Sequence, residues 1–192
     1  MSWRRHRDIN SHIEVIIVRH GLSESNKADE VGGPDTPLAE EGLQQAEELA
    51  ERLAGLEIDA IYSSTMPRAI DTAKPIAKKI GKEVIMDERL CEVDFGSFFY
   101  GKSHEILKEA LGGISGSDAM DSYVYDFRKW GGETSRQAET RSKSFLGDLK
   151  EQPYELVLIV CHGGIVRWLH YLITGEKISR QPNAEELRLK TP

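Results

Sequence analysis

The sequence predicts an α/β fold in three layers, a mostly parallel central sheet with helices on both faces and a small cap-like insertion. Three observations carry this expectation. Short apolar runs rich in β-branched residues alternate along the chain with segments of helical period. Those runs show no polar alternation, as a sheet covered on both faces requires. A length of 192 residues suits a single domain, 1–192, with a sizeable core.

The elements follow in order. Glu14–Val18 reads as the first buried strand and Ile58–Ser63 as the second. Glu83–Met86 reads as the third, Leu156–Cys161 as the fourth and Glu186–Lys190 as a weaker fifth. Between the first two, Leu43, Ala46, Leu49, Ala50 and Leu53 recur at helical spacing with Glu and Gln opposite. Pro67 sits where a helix can begin and Gly81 where one stops, with Pro75 expected to kink or reset it. Ser135–Leu149 and Ile165–Ile173 read as further helices. The stretch from Asp94 to Gly131 breaks the rhythm with five internal glycines, the aromatics Phe95, Phe98, Phe99 and Tyr100, and one short helix, Ser103–Leu111. Two readings fit this insertion, about 94–131: a surface excursion with its own aromatic cluster, or a cap that covers a site and chooses ligands.

Composition narrows the classes. The chain holds 32 Asp and Glu against 25 Lys and Arg, for a net charge of −7. An acidic body argues against nucleic acid and anionic membrane surfaces as partners. Apolar runs such as Ile13–Val18 and Leu156–Cys161 are too short to span a bilayer. The two cysteines, Cys91 and Cys161, suit a reducing compartment, and Cys161 reads as strand packing. Met1–Asp8 is basic but has no apolar core after it, so it does not read as a secretory signal. Its Arg4-Arg5-His6-Arg7 reads as a frayed terminus. The expectation is a cytoplasmic protein, and oligomeric state is not legible.

Chemistry concentrates at the ends of strands. The first strand runs directly into Arg19-His20-Gly21, and the fourth into Cys161-His162-Gly163-Gly164 before a helix. Ligands of parallel sheets bind beyond the carboxyl ends of the strands, so both histidines face one pocket if those strands are neighbours. The second strand leads through Ser63-Ser64-Thr65-Met66-Pro67 into Arg68 at a helix start, a ready anion site. After the third strand, Leu90-Cys91-Glu92 sets a carboxylate at the same edge. Guanidinium forks suit phosphoryl oxygens, a neutral imidazole is a nucleophile, and a carboxyl group can protonate a leaving oxygen. Taken singly, each residue has a bland reading: Arg68 as a solvated cation, Glu92 as one more surface acid. His6, His12, His104 and His170 read as structural or merely exposed.

Order and spacing change the weighing. Val18-Arg19-His20-Gly21-Leu22-Ser23-Glu24-Ser25-Asn26 resembles the signature of the histidine phosphatase superfamily, the phosphoglycerate-mutase-like family. The resemblance continues through Asp35-Thr36-Pro37-Leu38-Ala39-Glu40-Glu41-Gly42-Leu43-Gln44-Gln45-Ala46 and Ser63-Ser64-Thr65-Met66-Pro67-Arg68-Ala69-Ile70-Asp71-Thr72-Ala73. It extends to Leu90-Cys91-Glu92-Val93-Asp94-Phe95-Gly96, Gly131-Gly132-Glu133-Thr134 and Val160-Cys161-His162-Gly163-Gly164-Ile165-Val166-Arg167. The resemblance implies that His20 attacks the phosphoryl group and becomes a phosphohistidine. It implies that Arg19, Arg68 and His162 hold the equatorial oxygens, and that Glu92 protonates the departing alkoxide and then helps activate water. Ser23 and Asn26 match positions that help line the phosphate site. No cofactor or metal is implied, and neither His-Glu-x-x-His nor paired Cys-x-x-Cys occurs.

The chain departs from the family at Leu22, where relatives often carry a polar residue, and at Ser97-Phe98-Phe99-Tyr100-Gly101, which is more aromatic. Between Asp94 and Gly131 the cations Lys102, Lys108, Arg128 and Lys129 are outnumbered by acids, which disfavours a tightly held second phosphate. The expected function is therefore metal-independent hydrolysis of a small-molecule phosphomonoester through a phosphohistidine. Phosphoglycerate mutase is the alternative; a phosphoprotein phosphatase or a non-catalytic phospholigand-binding protein ranks lower.

Overall fold

The computed structural model describes residues 12–192, so the basic stretch holding Arg4, Arg5, His6 and Arg7 lies outside the described residues. Five strands form one sheet: β1 (Glu14–Arg19), β2 (Ala60–Ser63), β3 (Val84–Met86), β4 (Leu156–Cys161) and β5 (Glu186–Lys190). Their spatial order is β3-β2-β4-β1-β5, parallel throughout except for β5, which runs antiparallel to β1. Seven α-helices are present among the described residues: α1 (Glu24–Lys27), α2 (Glu40–Leu53), α3 (Pro67–Ile80), α4 (His104–Ala110), α5 (Gly116–Ser122), α6 (Ser135–Lys150) and α7 (Gly163–Thr174).

The apolar runs are explained by what they face. Successive strand side chains point to opposite faces. Val15, Ile17, Val157, Ile159 and Cys161 pack with α6 and α7 residues such as Phe145, Leu149, Trp168 and Leu169. Ile16, Val18, Leu158 and Val160 pack on the other face against Leu49, Leu53, Ala69, Ala73 and Ile76 of α2 and α3. Each fully buried Ile, Leu or Val contributes roughly 1.5–3 kcal/mol relative to exposure, so both strand faces must be apolar.

Some expectations change. β3 is an edge strand, with Ile85 and Met86 exposed, rather than a strand covered on both faces. Leu43 is 51% exposed because the buried stripe of α2 runs through Gly42, Ala46, Leu49, Ala50 and Leu53, leaving Leu43 at its rim. α3 runs on through Pro75 to Ile80, so the proline does not reset it. Gly81 closes α3 in the left-handed conformation as expected. The insertion holds α5 as well as α4; the Ser115 side chain caps α5 by accepting from the Asp118 N–H, a Ser-x-x-Asp signal in the sequence.

The aromatics of the insertion divide between its two readings. Phe99 is fully buried, its ring centroid 5.2 Å from that of Trp130, and Phe127 packs at 4.9 Å from Phe95. Phe98 is exposed beneath the Lys102 ammonium, which sits 3.7 Å from its ring centroid. Phe95 also lines the cavity at the sheet's carboxyl edge.

Candidate active site

β1 and β4 are neighbours in register, with Arg19 opposite Cys161, so the residues that follow each strand emerge side by side. The His20 N–H donates to the Cys161 carbonyl at 2.9 Å, and the His20 and His162 ring centroids lie 5.0 Å apart. The expected convergence of the two histidines is thus present. Arg19, His20, Arg68 and Glu92 line one cavity of about 230 Å³, together with Ser23 and Asn26. That size suits a small metabolite rather than a large ligand. His162 stands behind this lining, fully buried against His20, while Gly163 and Gly164 of the α7 N-terminus reach the cavity.

Hydrogen bonding fixes the tautomer of His20. Its Nδ1 lies 2.7 Å from the Gly21 carbonyl, which can only accept, so Nδ1 carries the proton and Nε2 keeps its lone pair. Burial, reinforced by the charges of Arg68 and Arg19, holds His20 well below the usual histidine range. The Asn183 Nδ2 donates to the carbonyls of His20 (2.8 Å) and Gly21 (3.2 Å) and to Asn26 Oδ1 (3.3 Å), bracing the same turn. His162 Nε2 pairs with Ser64 Oγ at 2.8 Å, whereas its buried Nδ1 has no partner among the described residues. Burial and then Arg68 lower the His162 pKa as well.

The cations are deeply set. Arg19 is 6% exposed and donates from Nη1 to the Gln181 carbonyl at 3.1 Å and from Nη2 to Asn26 Oδ1 at 3.4 Å. Burial, and next the neighbouring Arg180, bring its pKa down to about 10. Arg68, in the first turn of α3, donates to the Gly33 carbonyl at 2.9 Å, and burial lowers its pKa also. Glu92 Oε1 accepts from the backbone N–H groups of Val93 (2.8 Å) and Gly164 (3.0 Å). A Cβ on Gly164 would lie 2.6 Å from that oxygen and 2.7 Å from Val93 Cγ2, so only glycine admits the carboxylate here. Ser23 has a structural task, capping α1 by accepting from the Asn26 N–H.

Several contributors were invisible to sequence reasoning. Arg141 of α6 donates to the carbonyls of Arg89 (2.7 Å), Cys91 (2.6 Å) and Glu92 (3.2 Å) and forms an ion pair with Glu133 at 2.6 Å. Glu133 in turn accepts from the Asp94 N–H at 3.0 Å, clamping the segment that carries Glu92. Ser64 and Glu133 lay within quoted motifs; Arg141 and Asn183 had no local signal. His104, read as structural or exposed, lines the cavity and sits 3.1 Å from Asp29 Oδ1. Cys161 is fully buried and burial raises its thiol pKa, in keeping with packing. Among the described residues no three His, Cys, Asp or Glu side chains group to hold a metal ion, and no helix is long and apolar enough to cross a membrane.

Two buried neutral histidines make stability depend on pH. The unfolded chain takes up protons near pH 6.5 and the folded one only well below it, so stability is full above that value and falls as pH drops beneath it. The slope approaches about 1.4 kcal/mol per pH unit for each proton. Urea unfolding at pH 7.0 and 5.5 checks this, and equal free energies at both would contradict it.

Comparison with known proteins agrees with this geometry. The model of the histidine phosphatase superfamily (branch 1) matches residues 15–186. Phosphoserine phosphatase 1 of Hydrogenobacter thermophilus is 30% identical, covering 88% of this chain and 79% of that protein. A metal-independent phosphoserine phosphatase of Arabidopsis thaliana is 33% identical over 97% of this chain and 82% of its own length. Phosphoglycerate mutases are among the matches too. Among solved structures, the mycobacterial glucosyl-3-phosphoglycerate phosphatase complexed with VO3 superposes with a TM-score of 0.80 at 25% identity, over 92% of this chain and 90% of that one. With its motifs in order and its paired histidines at adjoining strand ends, this chain belongs to the histidine phosphatase superfamily, the phosphoglycerate-mutase-like phosphoryl-transfer enzymes.

Proposed function

We infer that the protein is a phosphomonoester hydrolase that acts on a small phosphorylated metabolite in the cytoplasm through a phosphohistidine. The observation that carries this is a neutral His20 with Nε2 unprotonated, set beside Arg19, Arg68 and Glu92 on one small cavity. In the first step the Nε2 lone pair attacks phosphorus as the ester P–O bond breaks. The departing oxygen takes a proton from Glu92; Oε1 is already occupied by two N–H donors, so the proton resides on Oε2. In the second step the Glu92 carboxylate accepts a proton from water. That water's oxygen attacks phosphorus, the N–P bond breaks, and its electrons return to Nε2 as phosphate leaves.

Arg19 and Arg68 neutralise the equatorial oxygens, supplying positive charge where other phosphoryl-transfer sites use metal ions. His162 buttresses His20 from behind the cavity lining, its Nε2 paired with Ser64 and its ring centroid 5.0 Å from that of His20. Ser23 and Asn26 complete the lining, and the insertion 94–131 acts as a cap through Phe95 and Met120 within the domain 1–192. The acidic balance of that cap favours hydrolysis over mutase chemistry, which must retain a second phosphate.

The test is hydrolysis of an aryl phosphate in excess chelator, alongside 3-phosphoglycerate with and without bisphosphoglycerate. Chelator-insensitive phosphate release is expected, with no conversion of 3- to 2-phosphoglycerate. Loss of activity on chelation would remove the metal-free mechanism, and interconversion would make the protein a mutase.

A further inference from the structure

Ser64 takes no part in either chemical step, yet it is placed as the two histidines are. His20, His162 and Ser64 directly follow β1, β4 and β2, and these three strands are neighbours in that order. Registers that pair Arg19 with Cys161 and Ser63 with Val160 bring the three following residues level. His162 therefore stands between Ser64 and His20. Ser64 and His162 are both fully buried, and the Ser64 N–H donates to the Val160 carbonyl at 3.0 Å, which fixes the base of the side chain.

The Ser64 hydroxyl decides which nitrogen of His162 carries the proton. Burial, and next the charge of Arg68, hold the His162 pKa well below the usual histidine range, so the ring is neutral with one proton to place. A serine hydroxyl has one hydrogen and two lone pairs. Ser64 Oγ accepts from the Met66 N–H at 3.1 Å, and its hydrogen can go to His162 Nε2 at 2.8 Å or to Cys91 Sγ at 3.5 Å. The nitrogen is the nearer and stronger acceptor, and Thr65 Oγ1 lies closer to the sulfur, at 3.1 Å. The hydrogen therefore points to Nε2, and the ring proton of His162 resides on Nδ1. That Nδ1 is buried without a partner among the described residues, on a ring whose centroid is 5.0 Å from that of His20. A buried donor left open is costly unless something else meets it.

We propose that Ser64 is a positioning residue of the phosphoryl site: it locks His162 in the Nδ1–H tautomer, so that the imidazole beside His20 meets phosphoryl oxygens with a donor and not with a lone pair. Arg19 and Arg68 carry a charge whichever way their protons lie. A neutral imidazole attracts an anion through one nitrogen and repels it through the other, so its contribution depends on the tautomer. Without the hydroxyl, the Met66 N–H and His162 Nε2 lose their shared partner, and nothing selects between the two forms.

This deepens the phosphatase reading and rests on it for the phosphoryl group at His20. Nitrogen NMR on the full-length protein carrying isotope-labelled histidine reads the tautomer, with His162→Gln identifying the resonances. In the unsubstituted protein His162 is expected to show a protonated Nδ1 and a bare Nε2, and orthovanadate should shift the Nδ1 resonance. In Ser64→Ala the two tautomers should mix, and orthovanadate should bind about tenfold more weakly, the effect of one misdirected polar group. Ser64→Thr, which returns the hydroxyl, should restore both. An unsubstituted protein with His162 protonated on Nε2 overturns the proposal. So does a Ser64→Ala protein that keeps the original tautomer or the original vanadate affinity. If Ser64→Ala fails to fold, the spectrum of the unsubstituted protein and its response to vanadate decide alone. Neither readout needs turnover. The expected tautomer and vanadate response in a protein that hydrolyses no aryl phosphate would keep the role of Ser64 and remove the phosphatase reading. Hydrolysis with the His162 proton on Nε2 would do the reverse.

Discussion

His20→Ala is expected to lower aryl phosphate turnover by at least about 10⁴-fold, because nucleophilic catalysis has no partial substitute when the attacking atom is gone. The neighbouring groups cannot take over. His162 is fully buried and engaged with Ser64, and the Cys161 thiol is buried with its pKa raised. Removing the imidazole also leaves Arg19 and Arg68 without an acceptor for the phosphoryl group they hold. A rapid acid-free quench of the unsubstituted protein with labelled substrate should trap phosphate on histidine, labile to acid and stable to base. The His20→Ala protein should trap none while keeping its thermal midpoint within a few degrees. Activity within tenfold of the parent, in a protein that carries no label, would overturn the assignment.

The parts of the molecule that were legible in its sequence are those whose physics is local. β1 and β4 announce themselves because both faces of each strand are buried, so Val15 to Val18 and Val157 to Val160 are all apolar. The start and stop of α3 follow from Pro67 and Gly81, whose backbone preferences need no tertiary context. Arg19, His20, Arg68 and His162 were found through motifs because each ends or directly follows a strand or opens a helix, where sequence order and spatial order coincide; Glu92, six residues beyond β3, was found through its motif alone.

What was missed depends on contacts between distant segments. Asn183 braces the His20 turn across 163 residues, and Arg141 reaches carbonyls about fifty residues back. Neither position carries a composition or spacing signal. The edge position of β3 is likewise a fact of sheet order, since Val84–Met86 differs little in composition from a buried strand. Phe95, Phe98 and Phe99 look alike in sequence yet occupy a cavity wall, the exposed surface and the core.

Glu92→Gln separates the two chemical steps. Glutamine keeps an Oε1 acceptor for the Val93 and Gly164 N–H groups, so the side chain stays where it is and only the transferable proton is lost. For an alkyl phosphate, whose alkoxide needs that proton, kcat/KM should fall by about 10²–10⁴-fold, the usual worth of general acid catalysis. For an aryl phosphate, whose phenolate departs without help, kcat/KM should fall far less, because that parameter reports only steps up to the first irreversible one. Its kcat should nevertheless drop, since water must still attack the phosphohistidine and no carboxylate remains to take its proton. The variant should therefore release a burst of phenol equal to the enzyme concentration and then turn over slowly, with the phosphoenzyme accumulating. Equal losses of kcat/KM on alkyl and aryl esters, with no burst, would mean that Glu92 shapes the pocket and moves no proton.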